Sequence, residues 1–199
     1  MTLNMHREKF NRLSIKVGIA FSRLGLSANQ WTVLTVIPAA ISSYFLVNRD
    51  FLPAAVFLLA AGFIDMVDGA VARVTGTVSK LGAYLDTVID RYVEFAIIAG
   101  LLFARLPSVI FRIELWILAY LFGAMMTTYA KAAAKEKDIT SKELRGGILE
   151  RAERLIILFF GLLLAHYDLI YLSYMVMILA VLANLSALQR IAMAAKIAK

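Results

Sequence analysis

Four aspartates stand inside two stretches of chain that otherwise read as material for a lipid bilayer. Residues 51–74 are apolar or small until Asp65 and Asp68 interrupt them, and residues 80–104 carry Asp86 and Asp90. A carboxylate in a bilayer core costs about 2.5–3.5 kcal/mol on insertion scales. Four of them require a cation or a polar cavity to offset that cost. Asp65, Asp68 and Gly69 recur at offsets of 3 and 4, which places them on one helical face, with Ala72 and Arg73 close to it. Gly82, Asp86 and Asp90, at offsets of 4 and 8, share a face of the next helix. Two short-armed acidic faces opposed across a hairpin suit hard divalent cations with oxygen ligands. Arg73 and Arg91 are the cations nearby, and two cannot neutralise four carboxylates, so a bound metal is the better account.

The rest of the chain fits that setting. Hydrophobic residues make up 61% of its 199 residues, and the absence of cysteine excludes disulfides and thiolate metal sites. The N-terminus has no apolar run followed by a small-residue cleavage site, so no secretory signal is expected. Phe10, Leu13, Val17, Phe21 and Leu24 form one helical stripe, with Lys9, Arg12, Lys16 and Arg23 on the other side. This predicts an amphipathic helix over residues 1–24 lying in the membrane interface. Gly25 should end it, and Ser27 or Asn29 should cap the next helix.

Apolar segments at 31–47, 51–74, 80–104, 112–134, 148–166 and 169–190 then predict six spanning helices. The expected fold is therefore all-α: a single membrane domain over 1–199, with a six-helix bundle at 30–190. Turns are expected at Asn48–Asp50, at Gly76 with Ser79 capping, around Pro107, at the polar loop 135–147, and at His166–Asp168; Pro53 suits a helix's first turn. With the N-terminus inside, 17 of the 21 Lys and Arg fall on the cytoplasmic side. Both termini are then cytoplasmic, in a multi-pass protein of the cell membrane. Asp65 precedes Arg73 by 8 residues, about 12 Å of helix, so the acidic pocket opens toward the cytoplasm from within the membrane. No internal repeat is evident.

The spacing Asp-x-x-Asp-Gly-x-x-Ala-Arg-x8-Gly-x3-Asp-x3-Asp, met by Asp65, Asp68, Gly69, Ala72, Arg73, Gly82, Asp86 and Asp90, resembles the signature of the CDP-alcohol phosphotransferases. The resemblance covers the whole chain and implies a six-helix membrane enzyme, usually a homodimer. It implies that a second alcohol attacks a CDP-linked alcohol and CMP leaves. It further implies that Asp65, Asp68, Asp86 and Asp90 hold Mg2+ or Mn2+, two ions per subunit, with Asp90 as the base. Asp68, Gly69, Arg73 and Gly82 would take the CMP half of the donor. Asn29 and Thr32 match the family's Pro-Asn-x-x-Thr element, although Ala28 stands where proline is usual.

The acceptor is read from basic residues at predicted cytosolic helix ends. Lys131, Arg151, Arg154 and Arg190 would form a phosphate clamp if they converge, Arg151 and Arg154 sharing a face at i, i+3. Lys135, Lys137 and Lys142 read as ordinary positive-inside charge. Tyr129-x-Lys131, the run from Gly147 to Arg154, and Gln189-Arg190 are similar to the inositol-phosphate branch of the family, the phosphatidylinositol phosphate and archaetidylinositol phosphate synthases. The expected partners are thus a CDP-linked lipid (archaeol or diacylglycerol), inositol 1-phosphate and membrane lipid, with no nucleic acid. Alternatives are a di-myo-inositol phosphate phosphate synthase using CDP-inositol, a glycerol 3-phosphate-using synthase, and a divalent-cation transporter. Arg73 and the two glycines argue against the last, because a cation path gains nothing from an adjacent arginine.

Overall fold

The computed structural model describes residues 14–140 and 147–198. Lys9, Phe10, Arg12, Leu13, Lys142, Arg145 and Gly146 lie outside the described residues. Helices run over 14–22 (α1), Ala28–Leu34 (α2), Val36–Val47 (α3), Phe51–Thr75 (α4), Lys80–Phe103 (α5), Ile113–Glu136 (α6), Arg151–Leu164 (α7) and Leu169–Ile197 (α8). Extended pairing among the described residues is limited to an isolated bridge between Val109 and Phe111.

The stops follow local chemistry. Gly25 and Gly76 take positive φ, at 75° and 67°, and end α1 and α4. Ser27, not Asn29, caps α2 through a reciprocal box with Gln30. Ser79 Oγ accepts from Gly82 N–H at 3.0 Å and starts α5. The expected first span is interrupted for one residue at Thr35, between α2 and α3, where Pro38 has no N–H to return to the Leu34 carbonyl.

Among the described residues, four helical segments are long and apolar enough to cross a membrane: Ala28–Val47, Phe51–Thr75, Ile113–Glu136 and Leu169–Ile197. The two others expected to span, α5 and α7, are not among these four, for separate reasons. In α5, Lys80, Asp86, Asp90, Arg91 and Glu94 break the apolar run. α7 has 14 residues rather than the expected 19, covering about 21 Å. Its start moves from 148 to Arg151 because Ile148 N–H donates to Gln189 Oε1 (3.0 Å) and Leu149 N–H to Ser186 Oγ (2.9 Å), which holds this segment against α8. α8 in turn runs to Ile197, beyond the expected end at 190.

The chain divides into two compact units, Met1–Ser42 with Val56–Ile97 and Ser43–Ala55 with Ile98–Lys199. In the first, Trp31 of α2 is buried against Val67 and Val71 of α4, and Val17 and Phe21 of α1 join them. The Phe21 ring stands edge-on to Trp31 at 5.4 Å and to Phe63 at 5.6 Å. α1 therefore turns Val17 and Phe21 inward as its stripe requires, but Leu24, expected on the same stripe, is exposed once Gly25 turns the chain. Gly18 makes the closeness possible: a Cβ there would lie 2.6 Å from the Ala70 carbonyl oxygen.

In the second unit α6 and α7 both pack on α8. Asn184 Nδ2 donates to Ala119 O at 2.8 Å across the α6–α8 seam, next to Gly123. Asn48–Asp50 forms the expected turn, with Arg49 at φ 65° and Asp50 N–H donating to Phe45 O at 2.9 Å.

Candidate active site

The helical registers of α4 and α5 deliver the acidic group. Asp65, Asp86 and Asp90 each place a carboxylate oxygen within 4.8 Å of the others, and all three are half-buried. Three like charges at that separation repel unless something positive lies among them. Asp68 lies outside that trio but within electrostatic range of Asp65 and Asp86. It is the most buried of the four, at 6% exposure, and its Oδ2 has no hydrogen-bond partner among the described residues. A buried, unsatisfied carboxylate oxygen calls for an explanation. An oxygen-only donor set with one orphaned oxygen fits a hard divalent cation.

α2 borders this group. Thr32, 5% exposed, is hydrogen-bonded to the Asp68 side chain, and its hydroxyl also lies 3.1 Å from Ala28 O. Asn29 Oδ1 sits where a Cβ on Gly82 would be 3.1 Å away, with Ser79 Oγ at 3.2 Å. The absent side chain at Gly82 thus admits Asn29 to the first turn of α5. Gly69 is explained differently. A Cβ there would lie 3.2 Å from Arg73 Nη1, so the glycine makes room for the arginine's own arm. Arg73 itself is exposed and donates through Nη2 to Ser14 Oγ at 2.8 Å.

The two nearby arginines are thus directed elsewhere in part. Arg91 Nη1 donates to Glu94 Oε2 at 2.6 Å, while its Nη2 stands 3.9 Å from Asp90 Oδ2. Glu94 and Ser14 are the residues sequence reasoning missed here. Glu94 had a signal, since it continues the face of residues 82, 86 and 90 by one more turn. Ser14 had none, because its role depends on α1 packing along α4.

The residues expected to hold the acceptor phosphate, Lys131, Arg151, Arg154 and Arg190, are all in the second unit. Arg190, on α8, donates through Nη1 to Thr127 O at 2.7 Å; Thr127 lies one turn before Lys131 on α6. A Cβ at Gly147, where φ is 146°, would lie 3.7 Å from Arg190 Nε. Arg190 therefore touches both the α6 wall and the segment leading into α7. Arg154 is buried at 2% exposure, and Arg151 and Lys131 are partly buried. Arg151 opens the first turn of α7, where Glu150 and Glu153 form the capping box. Lys135 and Lys137 are exposed, and Lys137 pairs with Glu136 at 2.9 Å, as solvated surface charge does.

Comparisons with known proteins agree with the motif. The sequence profile of CDP-alcohol phosphatidyltransferase matches residues 26–195. The chain is 32% identical over 159 residues to the archaetidylinositol phosphate synthase of Pyrococcus horikoshii, covering 79% of this chain and 80% of that protein. Its fold is similar to crystal structures of phosphatidylinositol phosphate synthase from Mycobacterium tuberculosis. The one with CDP-DAG bound superposes with a TM-score of 0.79 at 26% identity, covering 92% of this chain and 94% of that one. The one in complex with manganese and citrate gives 0.80 at 25% identity, over 91% and 88%. Since the profile spans the helices that carry the acidic motif, and most of the basic residues besides, the chain belongs to the CDP-alcohol phosphatidyltransferase family.

Proposed function

We propose that the protein transfers a phosphatidyl or archaetidyl group from a CDP-linked lipid to inositol 1-phosphate, releasing CMP. The observation that carries this is the convergence of Asp65, Asp86 and Asp90 within 4.8 Å, in a chain whose motif the family profile covers. Asp65, Asp68, Asp86 and Asp90 would hold two Mg2+ or Mn2+ ions. Bound there, the ions would neutralise charge on the donor's pyrophosphate and on the departing CMP.

The remaining duties fall to the chain. Asp90, whose Oδ2 lies 3.9 Å from Arg91 Nη2, takes the proton from the acceptor hydroxyl onto a carboxylate oxygen. The deprotonated oxygen of the acceptor then bonds to the phosphorus nearer the lipid, and the phosphoanhydride bond from that phosphorus to CMP breaks, CMP leaving with the bridging oxygen. Asn29, Thr32, Asp68, Gly69, Arg73 and Gly82 take the CDP half of the donor. Lys131, Arg151, Arg154 and Arg190 hold the phosphate of the acceptor, a task suited to the planar guanidinium fork. An acceptor already bearing phosphate accounts for a second cationic group in a membrane enzyme whose donor is itself anionic. The reading includes a single domain over 1–199, six spans with an interfacial N-terminal helix, cytoplasmic termini, a site facing the cytoplasm, and a homodimer.

The test is a radiolabelled turnover assay of the purified protein. CDP-archaeol, CDP-diacylglycerol and CDP-inositol are each offered against inositol 1-phosphate and glycerol 3-phosphate, with and without chelator. CMP release with a CDP-lipid and inositol 1-phosphate, lost on chelation and restored by Mn2+, is the expected result. Turnover only with CDP-inositol selects the soluble-solute synthase, and glycerol 3-phosphate as the sole acceptor selects the other branch. Metal flux without CMP release sinks the enzyme reading.

A further inference from the structure

Beyond the end of α5 the chain does not turn polar. Between Arg105 and Arg112 it reads Leu106-Pro-Ser-Val109-Ile110-Phe111, with no charge between the two arginines. A loop that faces water is ordinarily polar at its tip. This one is pinned to both helices beside it. Ser173 Oγ of α8 donates to Pro107 O at 2.8 Å, and Trp116 Nε1 of α6 donates to Val109 O at 2.9 Å. Leu106 and Val109 are buried, and the pins hold outward Ile110, 80% exposed, and Phe111, 60% exposed. Phe111 N–H returns to Val109 O at 2.6 Å, closing a three-residue turn around Ile110 at φ 60°. A β-branched residue in the left-handed region is strained, and it persists there only where its surroundings impose it. All of these residues belong to one compact unit.

The helices beside the turn indicate what it meets. α6 begins at Ile113, directly after Arg112, and both α6 and α8 are long and apolar enough to cross a membrane. The turn stands at the end of α6 away from Lys131, which lies about 27 Å along that helix from Ile113. Tyr167, Tyr171 and Tyr174, around the start of α8, are exposed, and with Trp116 they give this end of the unit the aromatic composition of a membrane–water boundary. Arg105 and Arg112 are exposed on either side of the apolar tip, so their guanidinium groups can meet headgroup phosphates while Ile110 and Phe111 lie deeper. Arg112 pairs with Glu114 at 3.3 Å, but both are exposed, and such a pair holds weakly. The carbonyls of Pro107 and Val109 are already taken, the second by two donors, as a place short of water requires. We propose that the turn at 109–111 is an interfacial anchor. It inserts Ile110 and Phe111 among the lipids at the N-terminal end of α6, sets Arg105 and Arg112 on the headgroups, and so fixes how deep the α6–α8 unit sits. The proposal rests on the reading that α6 spans the bilayer.

The chain has no cysteine, so a nitroxide on a single introduced cysteine reports one place. Full-length Ile110→Cys and Phe111→Cys, in bilayer nanodiscs of phosphatidylcholine and phosphatidylglycerol, are compared with Lys137→Cys at the other end of α6 and with Phe122→Cys, an exposed position within it. Collisions with oxygen, which concentrates in lipid, are measured against collisions with a neutral nickel chelate, which stays in water. The ratio should favour oxygen several-fold at positions 110 and 111 over Lys137→Cys, and should be highest at Phe122→Cys. Should Ile110→Cys fail to fold, Phe111→Cys reads the same turn. A ratio at the turn equal to that at Lys137→Cys overturns the anchor while leaving α6 in the bilayer. Shielding from both probes, with the signal broadened by a second label nearby, also overturns it and assigns the turn to a second copy of the chain. Free access of the chelate to Phe122→Cys overturns the spanning reading of α6, and the anchor with it.

Discussion

One compact unit buries Asp68, with an oxygen unsatisfied among the described residues; the other buries Arg154, at 2% exposure, and gives it partners. In our reading the first arrangement is completed by a cation from outside the chain. The second is supported by its own framework: Arg190 is anchored on the Thr127 carbonyl, and the segment before α7 is hydrogen-bonded to Ser186 and Gln189. The contrast teaches where chemistry and selection reside in our reading. The acidic unit is incomplete and therefore reactive, and the basic unit is prearranged and therefore discriminating. Substitutions should divide accordingly, into those that stop turnover and those that change which acceptor is used.

The largest effect is expected at Asp90. Asp90→Asn keeps the shape and removes the proton acceptor, so CMP release should fall about 10²–10⁴-fold with helix content unchanged by circular dichroism. Near-normal turnover would take Asp90 out of the base role and weaken the claim that the acidic unit is the reactive one.

Asp68→Asn comes next and separates cost from function at one side chain. Removing a buried, unsatisfied charge relieves the folded state of its desolvation, so the metal-free variant should melt no lower than wild type. Turnover should nevertheless fall about 10- to 100-fold, as expected for a group that orients or binds metal. A variant less stable and fully active would mean that Asp68 is a structural carboxylate, and the contrast between the units would collapse.

This asymmetry also explains how much was legible in the sequence. The acidic group could be read because its registers are local: offsets of 3 and 4 on one helix and 4 and 8 on the next. Gly25, Gly76, Ser27 and Ser79 marked their helix ends for the same reason, each acting within a few residues. The break at Thr35 was also local, and Pro38 was its visible mark. The late start of α7 was not legible, because Leu149 and Ile148 are held by residues about 40 positions away on α8, whose side chains compete with the helix for their N–H groups. Arg73 was hidden similarly: its contact with Ser14 spans 59 positions and depends on α1 lying against α4. Glu94 followed the visible register, yet its pairing with Arg91 is what separates it from the aspartates.

A smaller effect is expected in the basic unit. Arg154→Lys keeps the charge and loses the planar fork. The KM for the phosphorylated acceptor should rise about tenfold, in keeping with the loss of one charge-assisted hydrogen bond, while the KM for the CDP-linked donor moves much less. Equal changes in both would mean that the basic unit does not discriminate. A defect confined to the donor would give Arg154 the duty proposed for Arg73.

The smallest effect tests whether α2 belongs functionally to the acidic unit. This helix has only 7 residues before the Thr35 break, so it has little hydrogen bonding of its own to lose. Ser27 secures its start: the hydroxyl oxygen accepts from Gln30 N–H at 3.3 Å, and Gln30 Oε1 accepts from Ser27 N–H at 2.8 Å. Ser27→Ala removes one half of that box and should cost about 1 kcal/mol of stability. Asn29 and Thr32 ride on the same two turns, beside Gly82 and Asp68. Fraying the helix start therefore displaces Asn29 first, since it lies within the freed turn, whereas Thr32 keeps the burial that holds it. The expected kinetic signature is a modest rise in donor KM, about two- to fivefold for 1 kcal/mol or less transmitted to binding, with the acceptor KM unmoved. If the acceptor KM shifts instead, α2 serves the other substrate, and the division of labour between the units is drawn in the wrong place.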